Sequence, residues 1–252
     1  ISAQGGASGT PGTASDGGVV TLINTGGNVV LNEAVNVSKN AAGSNDGTIQ
    51  LKASGDITDG ANGNLVGNTN GLLNAVSTGG KIVLDRNDAI TTDGHSMAKV
   101  SLETTSTTAA DRSIVFHEAD ALEVITATAT GALSTPASVA ATSVGNRAQG
   151  VKSVAGTSNG AVVIKSGGAL TVSQAIVTTP TTTNTAGGTV VLEAAGGITT
   201  QTSGTITTDG AGNAAGGEVL LVNATSGDIT IGKAISAQGG ASGTPGTASD
   251  GG

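Results

Sequence analysis

The sequence predicts an all-β chain folded as a parallel β-solenoid (a β-helix), with about seven coils of three short strands in each 234-residue repeat. Three observations carry that prediction. The composition is that of strands and turns. A short apolar pattern recurs seven times along the chain. Residues 1–18, ISAQGGASGTPGTASDGG, return without a single change as residues 235–252.

The 252 residues are 37% apolar, drawn almost wholly from Val, Ile, Leu and Ala, with one Phe, one Met, no Trp and no Tyr. Val, Ile and Thr favour strands, and the 42 glycines and many asparagines favour turns. A helical chain would be richer in Leu, Glu and Lys. Only 11% of residues are charged, and with this apolar content the chain lacks the signature of disorder. The net charge is −8, and the 10 Lys and Arg are scattered. They form no basic patch, so no nucleic-acid partner is expected. Without Cys there is no disulfide and no thiolate metal site. No apolar run reaches the ~18 residues of a membrane helix, so no membrane insertion is expected.

The recurring segments are VTLIN (20–24), IQLKA (49–53), IVLDR (82–86), IVFHE (114–118), VVIKS (162–166), VVLEA (190–194) and VLLVN (219–223). Aligned as columns, their first position is Val20, Ile49, Ile82, Ile114, Val162, Val190 and Val219, all β-branched. Two residues on stand Leu22, Leu51, Leu84, Phe116, Ile164, Leu192 and Leu221, all large and apolar. The next position, Ile23, Lys52, Asp85, His117, Lys165, Glu193 and Val222, is mostly charged. Alternation with period two marks a strand with one buried face. The alignment predicts the same face buried in all seven coils. A second strand is expected at Ile57, Ile90, Leu122, Leu170 and Ile198, with Val29 and Ile229 slightly displaced. A third carries Ile176, Ile206 and Ile235, with Val35 and Val100 as less regular members. Clusters such as KNAAGSNDG (39–47) and TDGAGNAAGG (208–217) close the rounds.

One coil cannot bury its own apolar face, so stacking creates the core. A sandwich or closed barrel needs no recurring coil. The identical ends mark a long period of 234 residues, the unit of a tandem array, and seven coils fill it. Residues 1–252 are expected as one continuous solenoid, one repeat plus an eighteen-residue overlap. The two copies of that overlap should be related by a translation of seven coils. The widest interval separates IVFHE from VVIKS, and residues 126–160 are expected as a lateral insert or an irregular coil.

No catalytic constellation stands out. His95 follows TTDG (91–94) at a turn and His117 lies in the outward column. Neither has a carboxylate pattern that reads as a dyad, so both read as solvated. Asp59, Asp93 and Asp209 each precede a glycine, the usual place of a turn aspartate. Calcium at these corners is the rival reading, but the GGxGxDxUx repeat is missing and the carboxylates lie far apart in sequence. Lys52, Asp85, His117, Lys165 and Glu193 mix signs, as a solvated face does. A carbohydrate-active solenoid would gather carboxylates on one face and offer aromatic platforms, whereas Phe116 falls in an inward column. The threonines of TATAT (126–130) and TTPTTTNT (178–185) do not repeat from coil to coil as an ice-binding ladder would. Asn36 and Asn223 head N-glycosylation triplets, at a frequency that chance explains in a chain so rich in Asn, Ser and Thr. No catalytic, cofactor or metal residue is therefore expected.

One outward column is less bland. Val83, Val115, Val163, Val191 and Leu220 lie between the two buried columns, where earlier coils have Thr21 and Gln50. An apolar outward stripe marks a contact surface, for a neighbouring solenoid or for an overlying loop or insert.

The stretches GGTVVLEAAGGITTQTSGTITTDGAGNAAGG (187–217) and GGEVLLVNATSGDITIGKAISAQGG (216–240) resemble the repeat regions of filamentous-haemagglutinin-like exoproteins and giant bacterial surface adhesins. The resemblance covers most of the chain and lies in its pattern, with no signature motif. It implies a right-handed β-helix, exported unfolded, that serves as a fibrous stalk, adhesin or matrix component at the cell surface or outside the cell. It brings no catalytic residue. The expected partners are then adjacent repeats, end to end along a fibre axis, with lateral bundling as an option. The alternative is a carbohydrate-active solenoid enzyme or carbohydrate-binding module.

Overall fold

The structure, a computed structural model, describes residues 1–6, 15–40, 45–86, 94–106, 112–127, 150–153, 160–241 and 251–252. Ile90, Asp93 and, within the expected insert, residues 128–149 and 154–159 lie outside the described residues. Among the described residues there are twenty strands and no helix. The first round is β1 (Val19–Asn24), β2 (Val29–Leu31) and β3 (Val35–Asn36). The second is β4 (Thr48–Ala53), β5 (Ile57–Asp59) and the first half of β6 (Leu65–Ser77). The rest of β6, β7 (Ile82–Leu84) and the start of β8 (Ser96–Thr104) make the third, and the rest of β8 with β9 (Ile114–Glu118) the fourth. Then come β10 (Leu122–Val124), β11 (Val151–Ser153) and β12 (Val162–Ser166), followed by β13 (Leu170–Val172), β14 (Ile176–Val177) and β15 (Val190–Ala194). β16 (Ile198–Thr200), β17 (Ile206–Thr207) and β18 (Val219–Asn223) form the next round, and β19 (Ile229–Ile231) and β20 (Ile235–Ser236) begin another.

Every strand pairing is parallel, and each strand pairs with strands one round away. The chain is a parallel β-solenoid. Sheet II is the ladder β2-β5-β7-β9-β12-β15-β18, and its seven strands bound six full turns. Sheet I faces it. It climbs from β1 through β4, β6 and β8, then continues as two narrower ladders, β10-β13-β16-β19 and β11-β14-β17-β20.

The ladders correct the expected columns. Val20 and Ile49 do not stack with Ile82. They stack with Leu73, Val100, Val124, Val172, Thr200 and Ile231 in sheet I. Beside them run Leu22, Leu51, Ala75, Leu102, Val151, Ile176, Ile206 and Ile235. Ile82, Ile114, Val162, Val190 and Val219 stack instead on Val29 and Ile57, in sheet II. The cause is an exchange of shape between the two walls. In the first rounds sheet I is an unbroken six-residue strand, and the wall of sheet II is broken into β2 and β3, or β5 and the start of β6. After β8 the opposite holds: sheet II is the unbroken strand and sheet I is broken in two. At β8 the long strand faces both halves, Lys99–Val100 against β10 and Leu102–Thr104 against β11.

The described residues on either side of 128–149 meet at that split: Ile125 donates to the Val100 carbonyl, the Gly150 amide donates to the Ile125 carbonyl, and the Gly150 carbonyl accepts from the Leu102 amide. Gly150 has φ +85°, which only glycine adopts without strain. Within 126–160, β11 is a regular rung strand.

The core lies between the walls. Ile49, Leu51, Ile82, Leu84, Ile114, Phe116, Ile164, Val190 and Leu192 have no exposed surface. Burying each is worth roughly 1.5–3 kcal/mol. The chain passes between the walls through a narrow neck closed by a backbone hydrogen bond, at one corner in the first rounds and at the opposite corner in the last. Gly18, Gly47, Gly188, Gly217 and Gly252 donate there to the carbonyls of Ala3, Val37, Thr178, Thr208 and Ala237. Successive neck glycines touch: a Cβ on Gly47 would stand 1.8 Å from the Gly18 oxygen, and one on Gly217 2.1 Å from the Gly188 oxygen. The glycines before the apolar segments are therefore a packing requirement.

Candidate functional site

Three features stand out: a polar cluster inside the solenoid, a groove outside it, and the apolar stripe on sheet II. The cluster begins with the alternation of two strands. Asp59 lies two residues after the buried Ile57, and Glu118 two after the buried Phe116, so both carboxylates point inward. His95 is bridged in parallel to Glu118 and falls in line with Val35 and Leu65 below and with Ser166 and Ala194 above. An apolar column thus turns polar for three rungs, at the height where the walls exchange shape.

His95 and Asp59 are not the solvated histidine and turn aspartate expected. Their side chains are 0% and 1% exposed, and His95 Nε2 lies 3.1 Å from Asp59 Oδ2, at ion-pair distance but off the hydrogen-bond line. Asp59 also accepts the amides of Asp85 and Arg86. His95 Nδ1 accepts the Leu65 amide, which leaves its proton on Nε2, facing the carboxylate. The ring stacks on Phe116 at 5.5 Å between centroids. Glu118 Oε2 accepts the Met97 amide at 2.8 Å, and burial pushes its pKa up to about 9. It is a neutral acid at pH 7. His117 points the other way but is also buried, contrary to a solvated outward position. The cluster can fix the corner of the rung and hold a proton. Its acid, base and aromatic ring all face the closed core, where no substrate reaches them.

The groove lies outside sheet I, beneath the turn at Asn68. Its volume is about 510 Å³ and its walls are Asn68, Thr69, Ser96, Ala98, Asp120 and Ala121. Lys99, Glu123, Thr171 and Gln201 line a shallower extension. It carries two carboxylates and no aromatic platform. Also on the outer side of sheet I, Gln50, Asn74 and Ser101 are buried although alternation points them away from the core.

The stripe is contiguous. Val83, Val115, Val163, Val191 and Leu220 are successive ladder partners in sheet II. Below Val83 the ladder continues to Thr58 and Val30, not to Thr21 and Gln50. The four valines are half-buried and Leu220 is exposed.

The remaining candidates have local duties. Asp209 accepts from Ser236 Oγ and the Gln238 amide, tying two rungs. Asn36 accepts the Ser38 amide, and Asn223 donates to the Gly227 carbonyl. Among the described residues no group of three or more His, Asp or Glu could hold a metal ion, and no helix is long and apolar enough to cross a membrane. No known protein family, curated protein or solved structure matches this chain.

Proposed function

We propose that the chain is the structural period of a non-catalytic fibre, a stalk or adhesin outside the cell or at its surface, in which each 234-residue unit runs directly into the next. One observation supports this most. Columns sealed inside the molecule are open on the outermost rungs. Ile231 and Ile229 are 48% and 43% exposed, while Val172 and Ile198 in the same columns are fully buried; at the other end Leu22 is only half-buried, while Leu51 in its column is fully buried. A further rung of the same pattern would cover them, at roughly 1.5–3 kcal/mol per side chain. The duplicated segment supplies the connection, since both copies close the same neck: Gly18 to Ala3 and Gly252 to Ala237, each 2.7 Å. The partners are then copies of the period, with lateral bundling through the valine stripe as a second contact. The cell-surface setting rests on the resemblance of the repeat pattern.

A polypeptide of two complete periods tests this. Electron microscopy should show one straight rod, longer than the single-period molecule by roughly 36 Å at ~4.8 Å per turn. It should melt cooperatively at a higher temperature, because interfaces between repeats add stability. Two particles on a flexible joint, melting like the single period, would overturn the reading. The groove favours a second reading, a carbohydrate-binding or carbohydrate-cleaving solenoid. Retention on polysaccharide columns, or release of reducing ends, abolished by Asp120→Asn would support it.

A further inference from the structure

We infer that the 234-residue period advances the solenoid by a half-integral number of turns, so that consecutive periods face opposite ways about the fibre axis. The inference rests on the tandem reading above. Its first support is the duplicated segment. Ser2 pairs with Asn36, on a ladder that runs through Val66 and Ser96 and meets sheet II where His95 bridges Glu118. The duplicate, Ile235 and Ser236, pairs with Ile206 and Thr207 in sheet I. The same residues lie on opposite walls. From Ser2 the ladders count one turn to β3, six along sheet II to β18, and half a turn more to β20.

A second support is a strand-and-turn device that follows a neck on either wall. VTLIN ends in Asn24, whose amide donates to the Asn28 carbonyl. VLLVN ends in Asn223, whose amide donates to the Gly227 carbonyl. This is one strand-and-turn device, carried by β1 in sheet I and by β18 in sheet II. The third support is where each neck delivers the chain. Gly18 packs on Gly47, which leads into β4 of sheet I. Gly252 packs on Gly217, which leads into β18 of sheet II. A strand following residue 252 is thus laid on β18 and not on β19.

The exchange of shape between the walls is the cause. An unbroken strand and a broken pair trade places once per period, and one trade amounts to half a turn of chain path. Successive periods are then related by a twofold screw, not the pure seven-coil translation expected from sequence. The valine stripe changes flank from each period to the next, so the fibre has two equivalent flanks. A second fibre can dock on either.

Cysteine pairs in two joined periods test this, and the absence of native Cys removes background. Leu220→Cys in the first period with Thr21→Cys in the second should be joined by a short thiol cross-linker at least tenfold more efficiently than Thr230→Cys with Val19→Cys. Those outward positions become ladder neighbours only with and only without the half turn, respectively. The reverse preference in a straight rod overturns the half turn and leaves the tandem reading standing. Failure of both pairs, in a jointed particle, takes down both.

Discussion

Asp59 and His95 face each other inside the solenoid, 3.1 Å apart, in columns whose other members include Leu31, Leu84, Val35 and Leu65. Taking two such groups out of water is costly, and removing one partner leaves the other buried without compensation. Asp59→Leu alone should cost about 3–5 kcal/mol. Asp59→Leu with His95→Leu should fold at least as stably as either single variant, because both columns become apolar. Urea midpoints for the cycle measure the coupling. Equal losses in the double and the sum of the singles would mean that the pair does not interact.

Glu118 makes stability depend on pH. Its pKa is raised from 4.5 to about 9 in the folded chain, chiefly because burial disfavours the charge. The folded state therefore holds a proton that the unfolded state has released. Stability is greatest below pH 4.5, falls as pH rises towards 9, and is flat in this respect above it. The fall is on the order of several kcal/mol. Glu118→Gln keeps an acceptor for Met97, and should raise the melting temperature at pH 8 and flatten the slope. A parallel pH profile in the variant would assign the slope to other groups.

The neck glycines should be irreplaceable. Gly47→Ala places a Cβ 1.8 Å from the Gly18 oxygen, whereas Gly26 has nothing within 4 Å of an added Cβ. The first substitution should cost roughly 2–4 kcal/mol and the second well under one, read as thermal midpoints.

Leu192 and Glu193 are chain neighbours on opposite faces. Leu192→Asp puts a charge in the sealed core and should cost at least about 4 kcal/mol. Glu193 pairs loosely with Lys165, 3.9 Å away and partly solvated, so Glu193→Ala should change stability by less than about 1 kcal/mol.

Replacing Val83, Val115, Val163 and Val191 by Thr keeps strand propensity and removes the apolar stripe. Lateral bundling, followed by light scattering and microscopy, should decline while the melting temperature changes little. Undiminished bundling would exclude this flank as the contact.

The solenoid itself was legible because inward positions recur two residues apart in every coil. The second-half columns from Ile82 and Leu84 onward match the ladders. What was not legible was which wall a strand belongs to. VTLIN and VVLEA both place a valine two residues before a leucine, and nothing in that spacing distinguishes sheet I from sheet II, so sequence alone aligns Val20 and Ile49 with strands across the core. The polar cluster hid for a related reason. Asp59 before Gly60 looks like a turn residue, and only counting on from Ile57 places it inside. The same count from Ile114 through Phe116 to Glu118 gives the buried acid. His95 follows residues with no apolar alternation of their own, so its column could be found only through its ladder partners.

The neck hydrogen bonds separate two kinds of chain length. Between Val37 and Gly47, Thr178 and Gly188, and Thr208 and Gly217 lie nine, nine and eight residues, and between Ala3 and Gly18 fourteen. The neck closes in the same way over all of them. Each doubling of such an excursion costs only about 0.6 kcal/mol in closure entropy, whereas one residue added within a rung would turn every later side chain to the wrong face. These necks are therefore where the molecule can diversify. Foreign peptides grafted there would be displayed in two short rows, at one corner near the first rounds and at the opposite corner near the last, on a rack whose spacing they cannot alter.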